Sequence, residues 1–127
     1  MDIHLKEYFD SARGLGILAT ANDAGEVDAA IYARPHVMDD DTVAFIMADR
    51  LSHANVTSNP NAAYLFREDG EGYRGVRLHL MKLHETDDPD AVDAIRRKPL
   101  PAECNVDEGS RFLVHFRVSR VRPLVGG

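Results

Sequence analysis

The chain has 127 residues, 44% hydrophobic and 28% charged, with 15 Lys and Arg against 21 Asp and Glu for a formal charge of −6. That length suits one domain with its own core, and the acidic balance argues against nucleic acid, which is gripped by a basic face that displaces counterions. The single cysteine, Cys104, excludes an internal disulfide and suits a reducing compartment.

The opening "DIHLKEYFDSARG" has the spacing of an amphipathic helix, with Leu5, Tyr8, Phe9 and Ala12 on one face, Asp2 as its cap and Gly14 as its stop. "LGILATAN" is a buried strand closed by the turn "NDAGE". "VDAAIYARPHV" alternates, Val27, Ala29, Ile31 and Ala33 against Asp28, Ala30, Tyr32 and Arg34, until Pro35, which has no N–H for a ladder, breaks or bulges the strand. "MDDDT" turns into the compact strand "TVAFIMA", and after a short helical segment come the strand "AAYLFRE" and the glycine-rich turn "DGEGYRG". "GVRLHLMKLHET" sets Val76, Leu78 and Leu80 against Arg77, His79 and Met81. "DDPDAVDAIRRK" is a helix with Asp88 as cap, Pro89 at its first position and Arg96, Arg97 and Lys98 complementing the dipole at its end. "PLPAECNVDEGS" is a loop. "RFLVHFRVSRVRPL" turns Phe112, Val114, Phe116 and Val118 inward and leaves Leu113, His115 and Arg117 outward. Six strands in an order that favours antiparallel pairing, with helices at fixed places, predict a mainly β fold: a small antiparallel barrel with flanking helices over its openings. Residues 1–127 form a single domain in this reading.

The segment "ADRLSHANVTSNP" between two strands is the candidate anion site. Ser52 is a good helix cap, so the N–H groups that follow it present partial positive charge. Arg50 adds a guanidinium whose fork matches phosphate, and His53 adds one more donor, which together suit a phosphate monoester. The same residues also fit a plain cap, a solvated charge and an exposed histidine.

The order of elements, through "GLGILATANDAGEVDAAIYARPHV", "TVAFIMADRLSHANVTSNPNAAYLF" and "YRGVRLHL", resembles the pyridoxamine 5′-phosphate oxidase-like superfamily of FMN-binding split barrels. The resemblance rests on Gly25, the Arg50-Leu51-Ser52-His53 segment, Asn55, Asn59-Pro60 and the closing "FRVSRVRPLVGG". It implies a six-stranded split barrel that holds FMN in a cleft between the subunits of a homodimer. By the same resemblance the FMN phosphate meets Arg50, Ser52 and His53, with Asn55 as nearby support. The flavin ring lies along Ile31, Tyr32, Ala33 and Arg34 and along Ile46, Met47 and Ala48, where Ala30, Ala33 and Ala48 let a flat ring approach the backbone. Relatives that make pyridoxal phosphate carry a lysine where "ARPHVMDD" has none, so the implied activity is that of an FMN-dependent oxidoreductase on another small substrate. A deazaflavin-dependent reductase and a non-catalytic flavin-binding or ligand-binding module are the alternatives. No catalytic residue is assigned.

Other chemistry finds less support. His79 and His84, five apart on one strand, face opposite sides and do not share a metal. His115 is an outward, solvated or interface histidine, and His36 follows the break at Pro35 near the cleft. No serine sits on a G-x-S-x-G elbow. Residues 1–13 carry charges throughout and no run approaches the ~20 apolar residues of a membrane span. The expected setting is the cytoplasm, with neither membrane nor nucleic acid as partner.

Overall fold

The computed structural model describes residues 3–96 and 111–127. In chain order the elements are α1 (Leu5–Ser11), β1 (Gly14–Ala21), β2 (Val27–Ile31), β3 (His36–Val37), β4 (Thr42–Ala48), α2 (Leu51–Ser58), β5 (Asn61–Glu68), β6 (Gly75–Thr86), α3 (Pro89–Ile95) and β7 (Arg111–Pro123). The fold is mainly β, as expected. Asp2, Arg97, Lys98, Cys104 and the loop expected at 99–110 lie outside the described residues.

All the strands join one antiparallel sheet in the order β2-β1-β5-β6-β7-β4-β3. Its two edges, β2 and β3, are consecutive in the chain and linked by residues 32–35 alone. So few residues span at most about 18 Å even when extended, so the sheet has to curl until its edges approach. They approach without pairing, and the barrel is split. Among the described residues the strands number seven rather than six because Pro35 ends the ladder and the chain restarts as the two-residue β3, pairing His36 with Ala44 and Val37 with Val43.

The inward positions fill the barrel with aromatic rings. Phe45 meets Tyr64 at 5.0 Å and Phe116 at 5.9 Å between centroids, and Phe9 from α1 closes onto Phe66 at 5.5 Å. Phe9, Tyr64, Phe66 and Phe116 are fully buried, each contributing roughly 1.5–3 kcal/mol relative to exposure. Alternation settles most side chains, but Leu113, expected outward, is buried against Ala44 and Val92 because α3 covers that part of β7. Asp88 caps α3 as expected, accepting from the N–H of Asp90 at 3.1 Å, with Pro89 next.

Gly14 is not the stop of α1. The helix ends at Ser11, and Arg34 donates to the carbonyls of Phe9 (2.5 Å) and Ala12 (3.1 Å) while Arg13 donates to Ala12 (3.0 Å). Guanidinium groups satisfy the last turn, which suits the negative end of a helix. Gly14 instead begins β1.

One contact holds the edge-to-edge link in place. The Tyr64 hydroxyl reaches the carbonyl oxygens of Tyr32 and Ala33, both at 3.1 Å, and the Tyr32 N–H donates to Gly16 at 3.0 Å. A side chain at position 16 would collide with that hydroxyl and with the Tyr32 carbonyl, so the close approach requires glycine. Tyr64→Phe should keep the fold but strip both carbonyls of their donor, lowering stability by about 1–3 kcal/mol in urea unfolding. An unchanged midpoint would remove this contact from the account.

Candidate ligand cleft

The split between the sheet edges opens into a cleft of about 760 Å³. Its walls follow from strand alternation. In β4, Val43, Phe45 and Met47 fill the core, which turns Ile46 and Ala48 to the cleft. Opposite them lie Ala30 and Ile31 at the end of β2 and then Tyr32, Ala33 and Arg34 of the link. Among the described residues β2 pairs only with β1, so its other edge presents backbone donors and acceptors to the cleft side.

The start of α2 supplies the polar side. The N–H of Arg50 bonds the carbonyl of Ala48 at 2.8 Å, and this turn starts the helix earlier than the sequence suggests. Arg50 is therefore the N-cap, in extended backbone and without a side-chain cap, and Ser52 is the second helical residue rather than the cap. Its hydroxyl, relieved of capping, is buried and lines the cleft beside Arg50. The β4–β7 register sets Arg111 against Ala48, and Arg96 at the end of α3 completes this basic side. Arg13 and Arg34 also line the cleft, and Asp28 is the one carboxylate of the lining among the described residues.

Tyr32 joins the two sides. Its ring stands edge-on to Phe45 at 5.9 Å between centroids. Burial pushes its phenol above the ordinary value; a hydrogen bond with Ser52 opposes this and the charge of Asp28 adds to it. The phenol stays protonated at neutral pH and can donate a hydrogen bond into the cleft.

Of the expected site residues, Ile31, Tyr32, Ala33, Arg34, Ile46, Ala48, Arg50 and Ser52 line one cleft, and three others do not. Met47 is fully buried in the core, because it shares its strand face with Phe45. Asn55 is buried and donates to the Thr20 hydroxyl at 3.0 Å, bolting α2 to β1. His53 lies flat on Phe112, with centroids 3.8 Å apart and planes within 8°, and bonds Glu85 at 2.9 Å. It lies outside the cleft lining and anchors α2 to β6 and β7. Arg13, Arg96, Arg111 and Asp28 escaped sequence reasoning. Arg111 arrives through a long-range register, for which no local pattern is a signal. His36, singled out for its place after Pro35, does line the cleft. Outside it, His84 stacks on His115 at 4.3 Å, a pairing that depends on the bulged β6–β7 register.

No family model matches the chain, and no curated protein matches it in sequence. Solved structures match it in fold. An FMN-binding protein from Syntrophomonas wolfei superposes with a TM-score of 0.78 at 15% identity, over 98% of this chain and 86% of the other. An F420 reductase gives 0.63 at 20% identity, over 91% and 94%. A heme-binding protein from Mycobacterium smegmatis gives 0.66 at 21% identity, over 98% and 53%. A protein of the pyridoxinephosphate oxidase family is also among the matches, and the fold is the split barrel of these proteins.

The anchor of α2 yields a pH prediction. Burial works against the charge of Glu85, but hydrogen bonds from Lys82 and His53 outweigh it and hold the carboxyl below its usual value. An acid whose value is depressed on folding stabilises the fold above its unfolded value and loses that contribution as pH falls through the folded one. Glu85→Gln should therefore be less stable than the native chain at neutral pH, and the two urea midpoints should converge as the pH falls below the ordinary glutamate value. A gap that stays constant across this range would contradict the charged network.

Proposed function

We propose that the cleft binds FMN and that the protein is a flavin-dependent oxidoreductase acting on a small substrate. The observation that supports this most directly is the convergence of Arg50, buried Ser52 and a first helical turn without a side-chain cap on one side of the cleft. A guanidinium fork, a hydroxyl and amide donors are the groups that a dianionic phosphate monoester needs. The volume lies within the usual range for sites of small organic ligands, roughly 300–1,000 Å³. The rest of the lining suits a flat heterocycle: Ala30, Ala33 and Ala48 leave room beside the backbone, and the free edge of β2 offers alternating donors and acceptors to a flavin rim. When bound, the flavin would supply the redox chemistry itself. The chain would hold its phosphate through Arg50 and Ser52, position the ring against β2 and β4, and keep a protonated phenol, Tyr32, at hand.

The reading includes a homodimer. Val27 and Ile31 on β2 are 83% and 74% exposed, and their neighbours on the same sheet face are Leu15, Leu65 and a run of alanines. An apolar edge of this kind calls for a partner surface. Ile31 also lines the cleft, so a second copy seated there would close the ligand in.

A second reading has one observation in its favour. Five arginines line the cleft, Arg13, Arg34, Arg50, Arg96 and Arg111, more positive charge than one phosphate requires, and a deazaflavin with a longer anionic tail would use it.

Purified protein with absorbance near about 450 nm supports a flavin, and a Soret band would point to heme instead. Arg50→Ala should weaken FMN by about tenfold or more, some 1.4 kcal/mol, while leaving riboflavin, which lacks the phosphate, nearly unaffected. Equal losses for both ligands, measured by flavin fluorescence quenching, would place the phosphate elsewhere. Ile31→Glu should yield a monomer in light scattering that also binds FMN more weakly. A dimer with unchanged affinity would rule out this face as the interface.

A further inference from the structure

The outer face of β6 and β7 carries a block of positive charge unrelated to the cleft. The register sets Arg77 directly against Arg122 and His79 directly against Arg120. Like charges facing each other across a strand pair are destabilising, and nothing on the neighbouring strands offsets them. The next outward positions are Leu65 and Ala63 on β5, then Ile17 and Ala19 on β1. Among the described residues no Asp or Glu side chain forms an ion pair with Arg77, Arg120 or Arg122, although the chain is acidic overall.

The arginines that are engaged bond main-chain oxygens of the closing residues rather than Asp or Glu side chains. Arg77 donates through Nε to Pro123 at 2.9 Å and through Nη2 to Gly126, and Arg122 donates to Gly127 at 3.2 Å. The Nε of Arg122 is buried and finds no acceptor at all. A charged donor without a partner is among the more expensive features a fold can keep.

We propose that Arg77, His79, Arg120 and Arg122 form a binding site for a small multivalent oxyanion of the phosphate or pyrophosphate type. Side chains directly opposite on paired strands lie about 5 Å apart, so three guanidinium groups and an imidazole can surround one such group. The footprint is small and the rest of the chain is acidic, which disfavours an extended polyanion or a charged lipid surface. None of these four residues lines the cleft, and the site adjoins the face of Leu65 and Ala63 that the proposed dimer covers.

His79 provides the readout. Burial first, then Arg122, Arg120 and Arg77, hold its imidazole below the ordinary value. The groups facing it are Arg120 and Arg122 from β7, Arg77 and Met81 on its own strand and Ala63 from β5, while the Ser119 hydroxyl donates to its carbonyl at 3.2 Å. An anion bound here neutralises the arginines and stabilises the imidazolium. In a titration of the full chain followed by NMR of the histidine rings, millimolar pyrophosphate should raise the His79 value by about half a unit or more above a sodium chloride control of equal ionic strength. Arg120→Gln, at an exposed position where folding is not at risk, should at least halve that rise, and Arg122→Gln should do the same. A rise matched by chloride would mean general screening, and an undiminished rise in both variants would mean binding elsewhere. Either result overturns the proposal.

Discussion

Residues 32–35 have to join the two edges of a seven-stranded sheet, and this constraint organises the molecule. It forces the sheet to curl, leaves the edges near each other but unpaired, and so produces both barrel and split. The Tyr64 hydroxyl, buried in the aromatic core, grips the carbonyls of Tyr32 and Ala33 from inside. Packing in the barrel thereby sets the position of the cleft wall. Glycine at position 16 is the geometric condition for that grip, since any side chain there would occupy the place of the hydroxyl.

Charge is distributed as unevenly as backbone. Five arginines line the cleft of a chain whose formal charge is −6, and they come from separate places: the end of α1, the link after β2, the start of α2, the end of α3 and the start of β7. Two of them, Arg13 and Arg34, are committed to the last turn of α1, so the cap of that helix is part of the cleft. On the other side Arg50 precedes α2, which is itself held by Asn55 to Thr20 and by His53 between Phe112 and Glu85. Asn55 and His53, expected at the ligand, are the mounting of the helix whose N-terminus lines the cleft.

Much of this was legible in the sequence because it is local. Alternation in "TVAFIMA" and "GVRLHL" marks strand faces, and Asp88-Pro89 marks a helix start. Pro35 was read as a break; that the chain then restarts as β3 depends on β4 being there to pair with it. The position of Ser52 within α2 was hidden, since Ser52 has the chemistry of a cap and only the turn between Ala48 and Arg50 moves the cap two residues earlier. Met47, expected beside the ring through its strand, has its side chain in the core with Phe45, as the period of two dictates. Arg96 and Arg111 were beyond reach, because α3 packing on β7 and the β4–β7 register are long-range facts.

The central claim is that the N-terminus of α2 and Arg50 receive the phosphate of a flavin nucleotide. A crystal structure grown with excess FMN tests it most directly. The account requires phosphate oxygens within hydrogen-bond reach of the Arg50 guanidinium and the Ser52 hydroxyl, with the ring between β2 and β4. Density for the nucleotide at any other place, or none in the cleft at saturating ligand, would contradict it.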